Sequence, residues 1–349
     1  MISHDQMRFI TSETLSLIDK LNASQWDHTP NFDLIKDRPI ISRSQLNHTP
    51  MRPGLFCVRT SGSTGEPITV QKTIDDQIWL LATNIREYQW RNWDYSKVLA
   101  FVKPGEVRKS SPNWGLPRRL APIQGASHKI GCEKVSDLQA WIKQINPHYL
   151  ACAPSIRDAL DLSNVTNLLD WKGTGERGGT MYSSEECGTI AIQCPDVPSN
   201  YHVMENQLVE VSEDGGLIIT TLTNPYITRY NHGDHIQLGS CTCGRSLQTI
   251  TYIYGRVRNM FIMPNGERKW PIFGSRTFYE KYAITRFKLI QTQLDSVTLQ
   301  YMSDGIRDAD RLICEIQELL ADVQVVLEPV VAFPDYKFEE FVSIVSPDY

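Results

Sequence analysis

Apolar positions along the chain follow a helical period first, with Phe9, Leu15, Ile18 and Leu21 on one stripe, and then dissolve into a connection punctuated by Pro30, Pro39, Pro50 and Pro53. From Leu55 the run "LFCVRT" reads as a buried strand that stops at a glycine turn, and "PITVQKT" reads as a second strand, which predicts strand-loop-strand. The helical period returns in "DDQIWLLATNIREYQWRNW", gives way to the apolar strand "KVLAFVKP", and returns in "VSDLQAWIKQIN" before the strand "HYLACAP". This alternation over residues 55 to 190 predicts an α/β layer with a partly parallel sheet.

Between about 200 and 255 the pattern turns to β. "NQLVEVSEDGGLIITTLT" is a hairpin with Asp-Gly-Gly at its turn, and "HIQLGS" and "QTITYIYG" continue as strands. After Gly255 and Arg256 the helix "DADRLICEIQELLADV" is followed by the strands "QVVLEPVVAF" and "FEEFVSIV". The expected organisation is α/β: a helical extension over 1–54, a large domain over 55–255 whose portion from about 190 is β-rich, and a small α+β domain over 256–349. No internal repeat or low-complexity tract interrupts it.

Composition removes some partners. With Lys plus Arg 35 against Asp plus Glu 40, the net charge is −5, and no basic stripe offers itself to nucleic acid. No apolar run approaches the roughly 20 residues that span a bilayer, and "MISHDQMRFITSETLSLIDKL" is amphipathic rather than signal-like, so a cytoplasmic protein without membrane partners is expected. Eight scattered cysteines without a secretory signal argue against a disulfide framework, leaving metal binding or plain burial.

The stretch "RTSGSTGEPITVQ" crowds hydroxyls and glycines where backbone N–H groups could wrap phosphate oxygens; a plain polar turn between strands is the competing reading. A P-loop is excluded, because Gly65 is followed by Glu66 and Pro67 rather than Lys, and by a strand rather than a helix.

The stretch resembles the phosphate loop of the adenylate-forming superfamily, written T-S-G-[ST]-T-G-x-P. Further signatures follow in order: "GTGE" at Gly173 to Glu176, "MYSSEECGTIA" from Met181, "ITRYNHGD" ending at Asp234, and "YGRVRN" with Gly255 and Arg256. Within the superfamily the chain is most similar to phenylacetate-CoA ligase and its relatives, through "EPITV" in place of Pro-Lys and through "CTCGR" after the Asp. The resemblance runs from about residue 55 to the end of the sequence.

The resemblance implies a carboxylate-activating enzyme. ATP and a small carboxylic acid would give an acyl-adenylate and pyrophosphate, and the acyl group would pass to a thiol, CoA or that of a carrier protein. Thr60, Ser61, Gly62, Ser63, Thr64 and Gly65 would hold the phosphates; Gly175 and Glu176 would lie against adenine and Tyr182 would stack on it. Thr64 and Glu186 would place Mg²⁺, Asp234 would bind the ribose, and Arg256 the sugar or the phosphate. Lys337 in "DYKFEEFVS" stands where the family carries its mobile catalytic lysine, although the preceding Gly is Tyr336.

Cys194, His202, Cys241 and Cys243 compose a Cys₃His set suited to tetrahedral Zn²⁺, but their C-x-C spacing departs from C-x₂-C, so spacing alone leaves metal or simple burial open. The structural zinc of some phenylacetate-ligase relatives favours metal. Trp79, Trp90, Trp93 and Trp114 could line an aromatic pocket, but packing is the commoner fate of such residues; His128, His148 and His232 have no partner that the sequence names. Two departures from the family matter: only five residues separate Glu176 from Tyr182, and the hinge after Gly-Arg carries Arg258 where Asp is usual. An adenylating transferase to a carrier protein or an amine, and a non-catalytic ATP- or zinc-binding relative, therefore stand beside the CoA ligase.

Overall fold

The computed structural model describes residues 4–22, 35–47, 56–59, 68–103, 107–131, 135–152, 156–157, 160–170, 180–256, 259–271, 278, 281–303, 305–320, 323–333 and 341–345. The expected phosphate loop, the Gly173 to Glu176 segment, the hinge at Arg258 and Lys337 lie outside them. The chain divides into two compact units, one of Met1–Ser61, Pro67–His232 and Ile236–Tyr252, the other containing Gly233–His235 and Ile253–Tyr349.

In the first unit, helix α1 (His4–Asn22) lies against α3 (Ile74–Trp90). The buried stripe of α1 is Ile10, Leu17, Ile18 and Leu21, which meets Ile78, Trp79, Ala82 and Ile85. The expected stripe differs at two of its four positions: Phe9 is 51% exposed and Leu15 only partly buried, and Ile10 and Leu17 take their places at an i, i+7, i+8, i+11 spacing. Thr73 caps α3 in a capping box with Asp76. Asp76 in turn accepts from Thr223 Oγ1 at 2.8 Å and Asn224 Nδ2 at 2.8 Å, which ties the helix start to a distant turn.

Strands β1 (Phe56–Arg59) and β2 (Thr69–Lys72) pair antiparallel, giving the expected strand-loop-strand. A five-stranded sheet has the order β4 (Lys109–Ser111), β5 (Ser127–Ile130), β3 (Leu99–Val102), β6 (Tyr149–Cys152), β7 (Asn167–Asp170). All its pairings are parallel except β4 with β5. Alternation sends Ala100 and Val102 to the face covered by Leu138, Trp141 and Ile142 of α4 (Val135–Ile145). Leu99 faces the other way, toward Trp93 and Tyr149. Trp93 stacks on Tyr149 at 4.1 Å and Trp114 meets both edge-on, so these rings are spent on packing.

A seven-stranded sheet has the order β11 (Gln207–Val211), β12 (Gly216–Thr221), β13 (Tyr230–Gly239), β14 (Thr249–Arg256), β10 (Tyr201–Val203), β9 (Gly188–Gln193), β8 (Met181–Ser184). Its hairpin at Asp214 to Gly216 is the expected one, with Gly215 at φ 93°. The β texture begins at Met181, earlier than the sequence pattern indicates, because the aromatic-to-Glu motif is itself a β-hairpin.

The second unit carries a four-stranded sheet of order β19 (Gln324–Pro329), β18 (Ser296–Met302), β17 (Arg286–Gln293), β20 (Phe341–Ser343), and the pair β15 (Phe261–Ile262) with β16 (Arg268–Lys269). Helix α5 (Ala309–Leu320) buries Leu312, Ile316 and Leu320 against Phe278, Phe287, Leu289 and Leu299. Gln291 is fully buried and satisfied, donating to Ile262 O at 2.6 Å and accepting from Ile262 N at 2.9 Å and Ser343 Oγ at 2.7 Å. Among the described residues no helix is long and apolar enough to cross a membrane.

Candidate functional site

Glu186 stands at the tip of the β8–β9 hairpin, where Gly188 takes φ 74° and Cys187 N–H donates to Ser184 Oγ at 3.0 Å. A β-branched or bulky residue would strain that backbone, so the glycine lets the turn close and present the carboxylate. Glu186 is buried, and its main-chain carbonyl accepts a short bond from Lys72 Nζ at the end of β2. Its carboxylate takes Arg43 Nη1 at 2.5 Å. Burial by itself would push this carboxyl up; the charge of His232, its own backbone N–H and Arg43 outweigh that and hold it below the usual glutamate range. The site therefore keeps an ionised oxygen donor away from bulk water. That is the donor type Mg²⁺ takes from protein, usually one or two carboxylates completed by phosphates and water.

Tyr182, two residues into β8, is buried with its ring edge-on to His232 at 6.0 Å. His232, which the sequence leaves without a named partner, thus lies beside both Tyr182 and Glu186.

In the second unit, Asp234 of β13 and Arg256 at the end of β14 form an ion pair, Nε to Oδ1 2.8 Å. Gly233, at φ 80°, permits the backbone to turn immediately before Asp234. Asp234 is buried while Arg256 is partly exposed. The Arg256 carbonyl accepts from Trp270 Nε1 at 3.0 Å, and Trp270 lies 5.0 Å from the Tyr254 ring and 5.4 Å from His235. Two residues that the sequence separates by a whole hairpin are thereby brought into direct contact.

The four metal-ligand candidates converge. Cys194 follows β9 at the start of a tight loop, with its N–H on Asn200 O at 2.8 Å, and His202 lies across the β9–β10 hairpin opposite Ile192. Thr249 of β14 pairs with His202, and the β13–β14 connection carries Cys241 and Cys243 back over it. Their ligand atoms all lie within 4.8 Å of one another. Cys194 and Cys241 sulfurs are 3.9 Å apart, and Cys243 Sγ is 3.2 Å from His202 Nε2. Zn–S bonds of about 2.3 Å at tetrahedral angles separate sulfurs by about 3.8 Å, so the set fits Zn²⁺. The unusual C-x-C spacing is accommodated because three separate β segments contribute, not one knuckle.

Burial pushes the Cys194 thiol up, while Cys243, despite a burial penalty, is brought down to about 7 by hydrogen bonds from Arg245 and the neighbouring thiols. Burial and the charge of Arg245 lower His202, which keeps its imidazole neutral and able to ligate. Arg245 also pairs with Asp196 at 2.5 Å and lies 4.8 Å over Trp90, whose ring meets His202 edge-on at 5.9 Å. Trp90 therefore walls the cysteine cluster.

Sequence reasoning missed Arg43 and Lys72, which fix Glu186. Neither sits in a recognisable motif, and each reaches Glu186 from more than a hundred residues away.

No protein-family model matches the chain, and neither does any curated protein sequence. The fold is that of the adenylate-forming ligases. Over 99% of this chain and 90% of the other, it is similar to 2-hydroxyisobutyryl-CoA ligase in the postadenylation state in complex with 2-HIB-AMP, with a TM-score of 0.63 and 14% identity. It is also similar to o-succinylbenzoate coenzyme A synthetase (MenE) from Bacillus subtilis in complex with AMP, at TM-score 0.53 and 12% identity over 80% of this chain and 66% of that one. A third similar structure is the anthranilate CoA ligase AuaEII in complex with anthranoyl-AMP, at TM-score 0.52 and 14% identity over 82% of this chain and 64% of that one.

Proposed function

We propose that the protein is an AMP-forming acid–thiol ligase that activates a small carboxylic acid with ATP and passes the acyl group to CoA. The carrying observation is that two of the three acids named by the resemblance, Glu186 and Asp234, are both buried and charge-paired on a fold shared with ligases that hold acyl-adenylates. Buried carboxylates are costly to maintain even when paired. Their placement at motif positions favours a nucleotide site over an inert relative.

In this reading a carboxylate oxygen attacks the α-phosphorus, the bond to the bridging oxygen breaks, and pyrophosphate departs. Asp234 holds the ribose hydroxyls as an acceptor, with Arg256 fixing its orientation. Glu186 and Thr64 would hold Mg²⁺, which neutralises charge on the phosphates. Lys337 would donate to the carboxylate and the α-phosphate as charge builds. The thiol sulfur then attacks the acyl carbon, the mixed anhydride C–O bond breaks, and AMP leaves. Zn²⁺ on Cys194, His202, Cys241 and Cys243 would leave no open ligand position, so its role is to staple three β segments.

CoA is favoured as acceptor because the similar structures are of CoA ligases. The short stretch between Glu176 and Tyr182 and Arg258 at the hinge position support, as the second reading, transfer to a carrier-protein thiol or an amine. Hydroxamate trapping across a panel of carboxylic acids, followed by product analysis with CoA and with carrier protein, tests both. Formation of an acyl-CoA supports the first reading, and turnover only with carrier protein or an amine supports the second.

The loop at 60–65 carries its own expectation. Thr64→Ala and Gly65→Ala lower kcat/KM for ATP by about 10- to 100-fold, by analogy with loss of one phosphate or oxyanion donor. Their melting temperatures stay near that of the parent chain, as for substitutions outside a core. Equal losses of stability and ATP use would reduce the loop to a structural turn.

A further inference from the structure

Arg43 belongs to none of the motifs that carry the family resemblance, yet its guanidinium sits on the carboxylate of Glu186 at 2.5 Å. Three independent devices hold it there. Helix α2 (Arg43–Asn47) is started by Ser42 and Gln45 in a reciprocal cap, Ser42 N–H to Gln45 Oε1 at 2.7 Å and Gln45 N–H to Ser42 Oγ at 3.3 Å. Ile41 just before it bridges to Tyr230, donating to Arg229 O at 3.0 Å and accepting from Asn231 N at 2.9 Å. Arg229, in the left-handed region at φ 47°, clamps the preceding segment by donating to the carbonyls of Lys36 at 2.5 Å and Arg38 at 2.7 Å. Arg229 is itself anchored on both oxygens of Glu210, at 3.0 and 3.2 Å.

An arginine in the first turn of a helix faces the positive end of the backbone dipole, so the helix does not favour it. Glu186 does. A buried carboxylate is costly without compensating charge, and a guanidinium and a divalent cation compete for the same oxygens.

We propose that Arg43 is the hydrogen-bonded counter-ion of Glu186, displaced by the divalent cation when Mg²⁺ and ATP bind. The proposal rests on Glu186 being the Mg²⁺ ligand of the reading above. Between turnovers the guanidinium keeps the carboxylate compensated and aimed. During binding its release sets how much Mg²⁺ the site demands.

Isothermal titration of ATP into the full chain, once with Mg²⁺ and once with EDTA, reads this without turnover. The quantity is the ratio of the two dissociation constants, the Mg²⁺ advantage. Arg43→Ala raises that ratio by about tenfold, because the cation no longer has to break a charged hydrogen bond. Arg43→Lys, which keeps the charge and serves if the alanine variant does not fold, raises it by about threefold, since a point charge replaces the planar fork. Glu186→Gln brings the ratio close to that of ATP without a protein ligand for the metal. An unchanged or lower ratio in the Arg43 variants, with the Glu186→Gln loss intact, overturns the counter-ion role and leaves Glu186 as the ligand. A Mg²⁺ advantage that survives Glu186→Gln removes the metal role of Glu186 and the proposal with it.

Discussion

Lys337→Ala is expected to lower acid-dependent ATP–pyrophosphate exchange by about 10²- to 10³-fold, the cost of removing one preorganised donor from a charge-building transition state. The same variant is expected to convert a supplied acyl-adenylate to thioester at close to the parent rate. The split follows from where charge develops. In adenylation, negative charge grows between the carboxylate and the α-phosphate, and an ammonium bridging the two stabilises the transition state more than the ground state. In thioester formation AMP is already the leaving group, and that bridge is not needed. Tyr336 precedes the lysine where glycine is usual, so the position is the point of greatest departure within its motif. Exchange that survives Lys337→Ala assigns the bridge to another cation.

The second large effect concerns the cysteine cluster. The chain as isolated is expected to carry about one zinc per molecule, and Cys194→Ser to lose it, with a drop in melting temperature on the order of 10 °C, as for loss of a structural metal worth several kcal/mol. Cys194, fully buried like His202, follows directly on β9 and joins the β9–β10 hairpin to the β13–β14 connection. Strong chelators lower the melting temperature of the parent chain in the same direction and leave Cys194→Ser unmoved. Metal content measured by plasma emission, alongside thermal scans, gives the answer. A metal-free parent chain of undiminished stability would return the four residues to plain burial.

Much of the arrangement was legible because it is local. The helix α3, the hairpin at Asp214 to Gly216 and the strand-loop-strand at 55–73 each show their period or turn residues within a window of under twenty positions. Glu186, Asp234 and Arg256 could be singled out as candidates because they sit in short motifs whose order along the chain carries information. What stayed hidden is non-local. Arg43 lies on a five-residue helix without an apolar face, 143 residues from its partner. Strand β5, "SHKI", has Ile130 as its one aliphatic side chain and mixes buried Ser127 and Ile130 with exposed Lys129, so it gave no periodic signal of its own. The displaced stripe on α1 has a simpler origin: Phe9 and Ile10, like Leu15 and Leu17, are all apolar, and only the partner helix decides which turn inward.

The central claim is that this chain makes acyl-adenylates. Exchange of labelled pyrophosphate into ATP, measured across a panel of aliphatic and aromatic carboxylic acids, tests it most directly. Exchange is expected to require one class of acid and Mg²⁺ and to fall sharply in Asp234→Ala. Absence of exchange with every acid, in a folded chain that still binds ATP, would contradict it.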